Sequence, residues 1–589
     1  MLRSLTVCDP TVGSGAFLFA ALDVLEPLYC EVLARAEELE ARNQPVPSFL
    51  AEARAHPSPR YWLLKTICLH NLFGVDIMRE APEIAKLRLF LKLAAQVEHV
   101  EDLEPLPDLD FNIKCGNLLV GIADERDATG RLGDGRLDLG GTLANIAAVA
   151  AAVAGDYDSF VAQQTEAGTA DHADAKARLA SRFDAARADC NRLLADLRHE
   201  EGDLDAWVSS HQPFHWFVEF PSVWQQGGFD VIIGNPPYIK TSKVTGYRWL
   251  GYATQNCPDL YAVCMERAST LLNDHGRFAM IVMHSLCFSR QFMTLREELR
   301  RSLPSLWVSS YARRPDSLFA GSAAVRNSIA IGSSHAGCID AGLRVTRIRR
   351  WSPEMRPHLF ADLRYQALAA ELPASVSPPQ WPYIEDSILT WALGELVGVA
   401  TDLNSAMIAT PDSLLGYKTT ALYQLGIYVD EPPTVDPVTR EPASTNSSRT
   451  GWLSFENDIE RDLALVALAG RWGYLWWMTF SDEFHVTRST LAAFPGDIKR
   501  LASLAVGNPA SGDMKLGSLL ALSRTLQEEM PKHIAWMKKA GVDVGRYNMA
   551  KLRHLTDRAD WLLAQAWGIE DAFDAAGNLR DRMIFGNRE

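Results

Sequence analysis

The chain has 589 residues, 47% of them hydrophobic and 22% charged, which is too long for one ordinary core and points to a globular protein of two domains or of one domain with large elaborations. Its net charge of −15 sits badly with a nucleic-acid binder, because phosphate neutralisation dominates such affinity, although local distribution counts for more than the total. Nine cysteines without a Cys-x-x-Cys pair exclude a disulfide scaffold and a zinc site, and no apolar run or signal pattern points to a membrane, so a cytoplasmic protein without a bound metal is expected.

In chain order, residues 4–8 read as a short buried strand that enters a glycine-rich turn and then a helix from Phe17 to about Arg42. A Pro-containing loop is expected around 45–59, a strand at Leu72–Ile77 and an amphipathic helix at Ala81–Gln96. Gly116-Asn117-Leu118 ends a third strand. Residues 123–201, rich in alanine and charge, read as a helical insertion with a Gly/Asp-rich start. The strand pattern resumes at Phe229–Gly234, Gly276–Met283 and Ser328–Ile331. Alternating strands and helices predict a doubly wound α/β sheet over about 1–350. A less regular, mixed α+β domain follows over 351–589, with loops at Pro373–Pro382 and Pro432–Ser448.

Three strings carry chemistry. Asp9-Pro10-Thr11-Val12-Gly13-Ser14-Gly15-Ala16-Phe17 follows the first strand, and its glycines let the backbone approach a ligand closely. Asp76 ends the second strand, where such folds hydrogen-bond ribose hydroxyls; a helix cap is the plain alternative. Asn117 either meets an adenine ring or forms a turn. Phe229 to Tyr238 is a buried strand that ends in the stiff loop Asn235-Pro236-Pro237-Tyr238. An exocyclic amine on a purine is a poor nucleophile, because its lone pair is delocalised into the ring. Two acceptors, the Asn235 side-chain oxygen and the Pro236 carbonyl, would hold its hydrogens and aim the lone pair. Tyr238 offers an aromatic face to a base extruded from a duplex. Cytosine C5 chemistry is disfavoured, since the chain lacks a Pro-Cys pair.

These strings resemble the gamma-class, TaqI-like amino-methyltransferases of DNA found in restriction–modification and phage-defence systems, over roughly residues 5–335. The resemblance implies a Rossmann-like sheet and S-adenosylmethionine held by Asp9, Pro10, Gly13, Gly15, Phe17, Asp76 and Asn117. It also implies catalysis at N6 of adenine by Asn235, Pro236, Pro237 and Tyr238, and target recognition by 351–589. The partner so implied is double-stranded DNA with the target adenine flipped out. The lead-in Pro213–Pro221 is similar to larger members, including the BREX and DISARM methylases; Asp259-Leu260-Tyr261 and Gly276–Ser285 resemble further motifs. Trp476–Thr487 resembles a recurring segment of the recognition region, or packs as a core tryptophan cluster with His485 a satisfied core residue.

The family normally has a helical segment before the glycine string, whereas eight residues precede Asp9 here. A lid from a partner or from upstream sequence is therefore expected, with no nuclease in this chain. Other defence-system subunits are candidate partners. From Ser285 to Tyr365 there are 13 arginines, no lysines and 6 acidic residues, a candidate DNA track or a solvated face. Two other functions fit the strings: a noncatalytic recognition subunit, and an amino-methyltransferase of RNA or protein glutamine.

Overall fold

The computed structural model describes residues 2–97, 99, 106–124, 127, 139–165, 173–198, 202–319, 325–337, 341–368, 381–383, 387–398, 401–410, 412–421, 424–444, 450–482, 484–506 and 514–585. The chain divides into two compact units. One comprises 1–286, 291–308 and 327–343, and the other 287–290, 309–326 and 344–589.

In the first unit, β1 (Val7–Asp9) is buried throughout. It starts later than the sequence suggests, because Leu2–Ser4 form a 3-10 turn and Asp230 Oδ2 accepts from both the amide (2.8 Å) and the hydroxyl (3.0 Å) of Thr6. β1 lies parallel between β2 (Leu72–Asp76) and β4 (Phe229–Gly234), with Val7 opposite both Leu72 and Val231. β3 (Ile113–Cys115) extends the sheet beyond β2, and β5 (Leu272–Met283) extends it beyond β4. β6 (Ser305–Tyr311), whose first four residues belong to this unit, and β7 (Asn327–Ser333) complete the order 3-2-1-4-5-7-6. β7 runs antiparallel to β5, so the unit is mixed α/β around a large, mostly parallel sheet. The carboxyl ends of β1 to β4 share one edge, which is where open α/β sheets bind ligands.

The helices follow local chemistry. Ala16–Ala41 runs as expected, and Glu80–Ala94 follows β2. The expected loop at 45–59 instead contains the helix Phe49–Ala55. A further helix, Pro59–His70, starts on Ser58, whose hydroxyl accepts from the Tyr61 amide, with Pro59 at the first helical position. Tyr61 to Leu69 are all buried, so this helix has no polar face and leaves no 3.6-residue period in the sequence. Within 123–201, helices span Leu139–Thr165 and Ala173–Arg198, and the Gly/Asp-rich start at 128–138 lies outside the described residues. The second of these helices is fastened to the sheet by Glu219, which binds Lys114 at 2.9 Å and Arg187 at 2.7 Å. Burial alone would raise this carboxyl, but Lys114 and Arg187 outweigh burial and hold it at about 2.

β8 (Gly342–Arg349), which belongs to the second unit from Arg344 on, pairs antiparallel with β9 (Gln366–Ala367) through Arg344 and Val345. β10 (Ser413–Lys418) lies antiparallel between β11 (Ile427–Tyr428) and β13 (Thr450–Phe455). β12 (Thr434–Val435), within the expected loop 432–448, joins β14 (Ile534–Lys539) and β15 (Val542–Tyr547) in the order 12-15-14. Residues 373–380 and 445–448 of the expected loops lie outside the described residues. The tryptophans of helix Arg471–Phe480 are core: Trp472, Trp476 and Trp477 donate to the carbonyls of Asp560, Thr490 and His485. His485 itself departs from expectation. Its side chain is 55% exposed and its Nδ1 lies 2.6 Å from Asp482, so it is a surface residue anchored by a buried carboxylate. No described helix is long and apolar enough to cross a membrane.

One buried cation ties the segment after β3 to the helix Tyr261–Thr270. Arg267 donates to the Tyr252 hydroxyl (2.8 Å), Asp127 (3.1 Å) and the Gly121 carbonyl (3.3 Å). Removing one partner of a buried pair strands the others, so Arg267→Met is expected to lower unfolding stability by about 3–5 kcal/mol. Urea denaturation measures this, and an unchanged midpoint would contradict it.

Candidate functional site

Three loops meet at the carboxyl edge of the sheet. After β1, Asp9 Oδ1 accepts from the Thr11 amide (3.0 Å), Val12 is bonded to the Val75 carbonyl, and Gly15 closes the turn onto the Val12 carbonyl at 2.8 Å. Gly13 and Gly15 have φ of +49° and +78°, values that side chains resist. A Cβ on Gly15 would also lie 2.9 Å from the Ala85 Cβ, so helix Glu80–Ala94 closes against the turn. Pro10 is buried and Phe17 half-buried.

Asp76, at the end of β2, accepts from the Gly13 amide through Oδ2 (2.9 Å) and from the Met78 amide through Oδ1 (2.9 Å). Its carboxylate therefore fixes the glycine turn, and each oxygen keeps lone-pair capacity for a further donor. Arg88 holds the other side of the turn. It donates to the Ser14 carbonyl (2.6 Å) and lies 4.6 Å from the centre of the Phe19 ring. Asn117 is different: its Nδ2 donates to the His211 carbonyl (3.1 Å) and its Oδ1 accepts from the Leu119 amide (3.0 Å). Both polar ends are used in forming a turn.

The third loop follows β4 and touches the first. A Cβ on Gly234 would lie 2.9 Å from Asp9 Oδ1 and 3.2 Å from Thr11 Oγ1. Asn235 comes next, and its Oδ1 is buried with no hydrogen-bond partner among the described residues. An unmet buried acceptor costs about 1–3 kcal/mol, and this one sits on the loop that touches the Asp9 turn. Pro236 is buried. Tyr238 is locked at its hydroxyl, which donates to the Ile281 carbonyl (3.1 Å) on β5 and accepts from Asn327 Nδ2 (3.2 Å) on β7. Its ring meets Tyr261 edge-on at 6.5 Å, and Tyr261 stacks on Phe292 at 5.0 Å. Lys240, two residues on, pairs with buried Asp259 at 2.9 Å.

Asn327 and Lys240 were not singled out in the sequence. A lone asparagine at the head of an apolar strand carries little signal, whereas the Asp259-Leu260-Tyr261 string does mark this neighbourhood. The arginine run of 285–365 is partly structural. Arg296 is buried and donates to the Leu286 carbonyl, Arg301 pairs with Glu298, and Arg349 and Arg356 donate to the carbonyls of Asp362 and Ser317. A separate cavity of about 590 Å³ beside β3 contains none of the three loops' site residues; of its four cations, Lys86, Lys114 and Arg187 are ion-paired, and Arg79 is the fourth.

Burial raises the Asp9 carboxyl to about 7, against the lowering effect of its bonds from Thr11 and with a smaller upward push from Asp76. The folded state thus keeps a proton that an unfolded aspartate releases near 3.8. That stabilisation is complete below the unfolded value and is lost as pH rises through the folded one. Asp9→Asn keeps the acceptor and removes the titration. The stability of the unsubstituted protein relative to this variant is expected to fall between about pH 4 and pH 7 and to level off above. Denaturation curves across that range test it, and a gap independent of pH would contradict it.

Part of this unit matches a known family. Residues 70–304 match the sequence profile of the Eco57I restriction-modification methylase family. The chain is 26% identical over 351 residues to a Methanocaldococcus jannaschii protein named "Putative type II restriction enzyme and methyltransferase RM.MjaORFECS2P", covering 51% of this chain and 27% of that one. It is 25% identical over 314 residues to "Adenine-specific methyltransferase PglX" of Lacticaseibacillus casei, covering 51% of this chain and 21% of that one. The chain therefore spans about a quarter of the length of these curated relatives. Among solved structures, the Type IIL restriction-modification enzyme MmeI in complex with DNA aligns over 99% of this chain and 73% of its own, at 12% identity and a TM-score of 0.43. The segment that holds β2 to β5 and the loop Asn235–Tyr238 thus matches the restriction-modification methylases, the class that the motifs themselves resemble.

Proposed function

We propose that the chain is an S-adenosylmethionine-dependent DNA methyltransferase that methylates the N6 amine of adenine, within a cytoplasmic restriction–modification or phage-defence system. One observation carries the proposal: the buried, unpartnered Oδ1 of Asn235, held beside the Asp9 turn by the close approach at Gly234. In this reading the first unit is a Rossmann-like methyltransferase domain. Its strand order differs from the dinucleotide-binding order 3-2-1-4-5-6 by one antiparallel strand, β7, set between β5 and β6. The region from about 351 recognises the target sequence.

The residues fit the cofactor. The glycine turn admits close backbone approach, Asp76 retains acceptor capacity for ribose hydroxyls, and Asp9, Pro10 and Phe17 shape the methionine side. Asn117, held by one bond at each polar end, shapes the turn beside the adenine position and keeps a second N–H and a second lone pair. When bound, S-adenosylmethionine supplies an electrophilic methyl group.

The chain's own residues prepare the nucleophile. Asn235 Oδ1 accepts one hydrogen of the target amine and the Pro236 carbonyl the other, which localises the nitrogen lone pair and directs it. This is positioning and electrostatic stabilisation, without a covalent enzyme intermediate. Tyr238 stacks on the flipped adenine. Because its hydroxyl is bonded to β5 and to β7, the ring is set in place before the base arrives.

Asn235→Ala is expected to slow methyl transfer on the order of 10²-fold or more, with calorimetric cofactor affinity unchanged. Undiminished transfer would overturn the role of Asn235. Asp76→Ala is expected to act the other way, weakening cofactor binding by about tenfold or more through loss of a charged acceptor. Unchanged affinity would remove Asp76 from the cofactor site.

A further inference from the structure

The second unit carries a two-stranded ribbon whose inner strand is buried at Asp543 to Gly545 and whose outer strand its core leaves uncovered. β14 and β15 are joined by the tight turn Ala540-Gly541, both left-handed at φ of +50° and +82°, as in primed hairpin turns that keep the strand twist. β15 is covered by β12, and β14 forms the edge of the sheet, with Ala535 to Lys539 all exposed. Register places Ala535, Met537 and Lys539 opposite Arg546, Val544 and Val542 on one face, and Trp536 and Lys538 opposite Gly545 and Asp543 on the other. Each face therefore presents an exposed apolar side chain, Met537 or Trp536, next to exposed cations.

A strand pair that packs against a core shows water one polar face; this one shows apolar and basic groups on both. The charge is one-sided as well. Between 534 and 551 stand Lys538, Lys539, Arg546 and Lys551 against Asp543 alone. Asp543 is in turn neutralised by Arg440 at 2.8 Å, and the Arg440 guanidinium lies 4.5 Å from the centre of the Trp536 ring. Lys538 and Arg546 have no ion-pair partner among the described residues. In a chain of net charge −15 this is a local cationic projection. A neighbouring cavity of about 360 Å³ adds Lys418, Gln424 and Asn548 on the Arg546 face.

We propose that the ribbon 534–547 is a duplex-DNA contact element, set to enter a groove with Trp536 against base edges and with Lys538 and Arg546, on its two faces, toward the flanking phosphates. The inference rests on the DNA-methyltransferase reading and names the element that would engage the duplex. The major groove, about 12 Å wide, admits a two-stranded ribbon, and its thymine methyl groups give apolar side chains something to read. Charge complementarity selects this occupant: a protein partner for Trp536 and Met537 would not require unpaired cations on both faces.

The test uses the full chain and fluorescence polarisation with a labelled duplex carrying the methylated motif, identified beforehand by long-read sequencing, and with a scrambled duplex. Lys538→Gln combined with Arg546→Gln is expected to weaken binding to both duplexes about three- to tenfold and to make the plot of log affinity against log salt shallower by one to two units. Trp536→Ala is expected to leave that slope unchanged and to reduce preference for the methylated motif about tenfold. All these side chains are exposed, so melting temperature and cofactor affinity should stay at unsubstituted values. Unchanged affinity and slope in the double variant, with the unsubstituted protein binding and methylating DNA, would overturn the ribbon assignment alone. Loss of single-stranded RNA binding with duplex binding intact would likewise overturn it. An unsubstituted protein that binds no duplex at any salt concentration would overturn both this inference and the function on which it rests.

Discussion

Gly234 has no room for a methyl group, because the Asp9 carboxylate fills the space that a Cβ would occupy. This contact brings together two loops more than 200 residues apart in sequence. It exists because β1 and β4 are direct parallel neighbours, with Cys8 opposite Ile232, so that both strands end at the same height. The Thr6–Asp230 bonds at the opposite end of the strands hold that register. From this alignment follow the placement of Asn235 beside the glycine turn and, through β5 and β7, the fixed attitude of Tyr238.

The polar groups at this edge divide by whether their bonding capacity is spent. Asn117 is anchored to backbone at both polar ends, and Asp76 grips Gly13 and Met78 while retaining capacity to accept. Asn235 Oδ1 alone among the proposed site atoms is buried and unmet. Folding gains nothing from that arrangement, and an incoming amine would relieve it. Tyr238 follows the reverse logic: its hydroxyl is satisfied on both sides, so that the ring face is what remains for a ligand. One loop thus contains a rigid platform and an open acceptor three residues apart.

Much of this was legible in the sequence, because both decisive loops are local. Asp9 to Phe17 and Asn235 to Tyr238 carry their turn chemistry in adjacent residues, and the flanking strands show as short apolar runs. What escaped was non-local or aperiodic. The helix Pro59–His70 is buried on every side and leaves no amphipathic trace. β6 gave no alternation, with six of its seven residues buried. Asn327 reaches Tyr238 across 89 positions, a pairing that no local pattern encodes. His485 reads from the sequence as a satisfied core residue, yet Asp482 holds it at the surface, since one buried carboxylate suffices to anchor an exposed imidazole. The net charge does not reveal the local cations of the ribbon 534–547, which are few and are outweighed elsewhere in the chain.

The central claim concerns which atom receives the methyl group. The direct measurement incubates the purified chain with tritiated S-adenosylmethionine and, in parallel, duplex DNA, RNA and protein, then digests the labelled acceptor and identifies the modified nucleoside or residue. The account predicts label in duplex DNA alone, recovered as N6-methyl-deoxyadenosine. Label on another base, in RNA or on a glutamine side chain, or none in any acceptor, would contradict it.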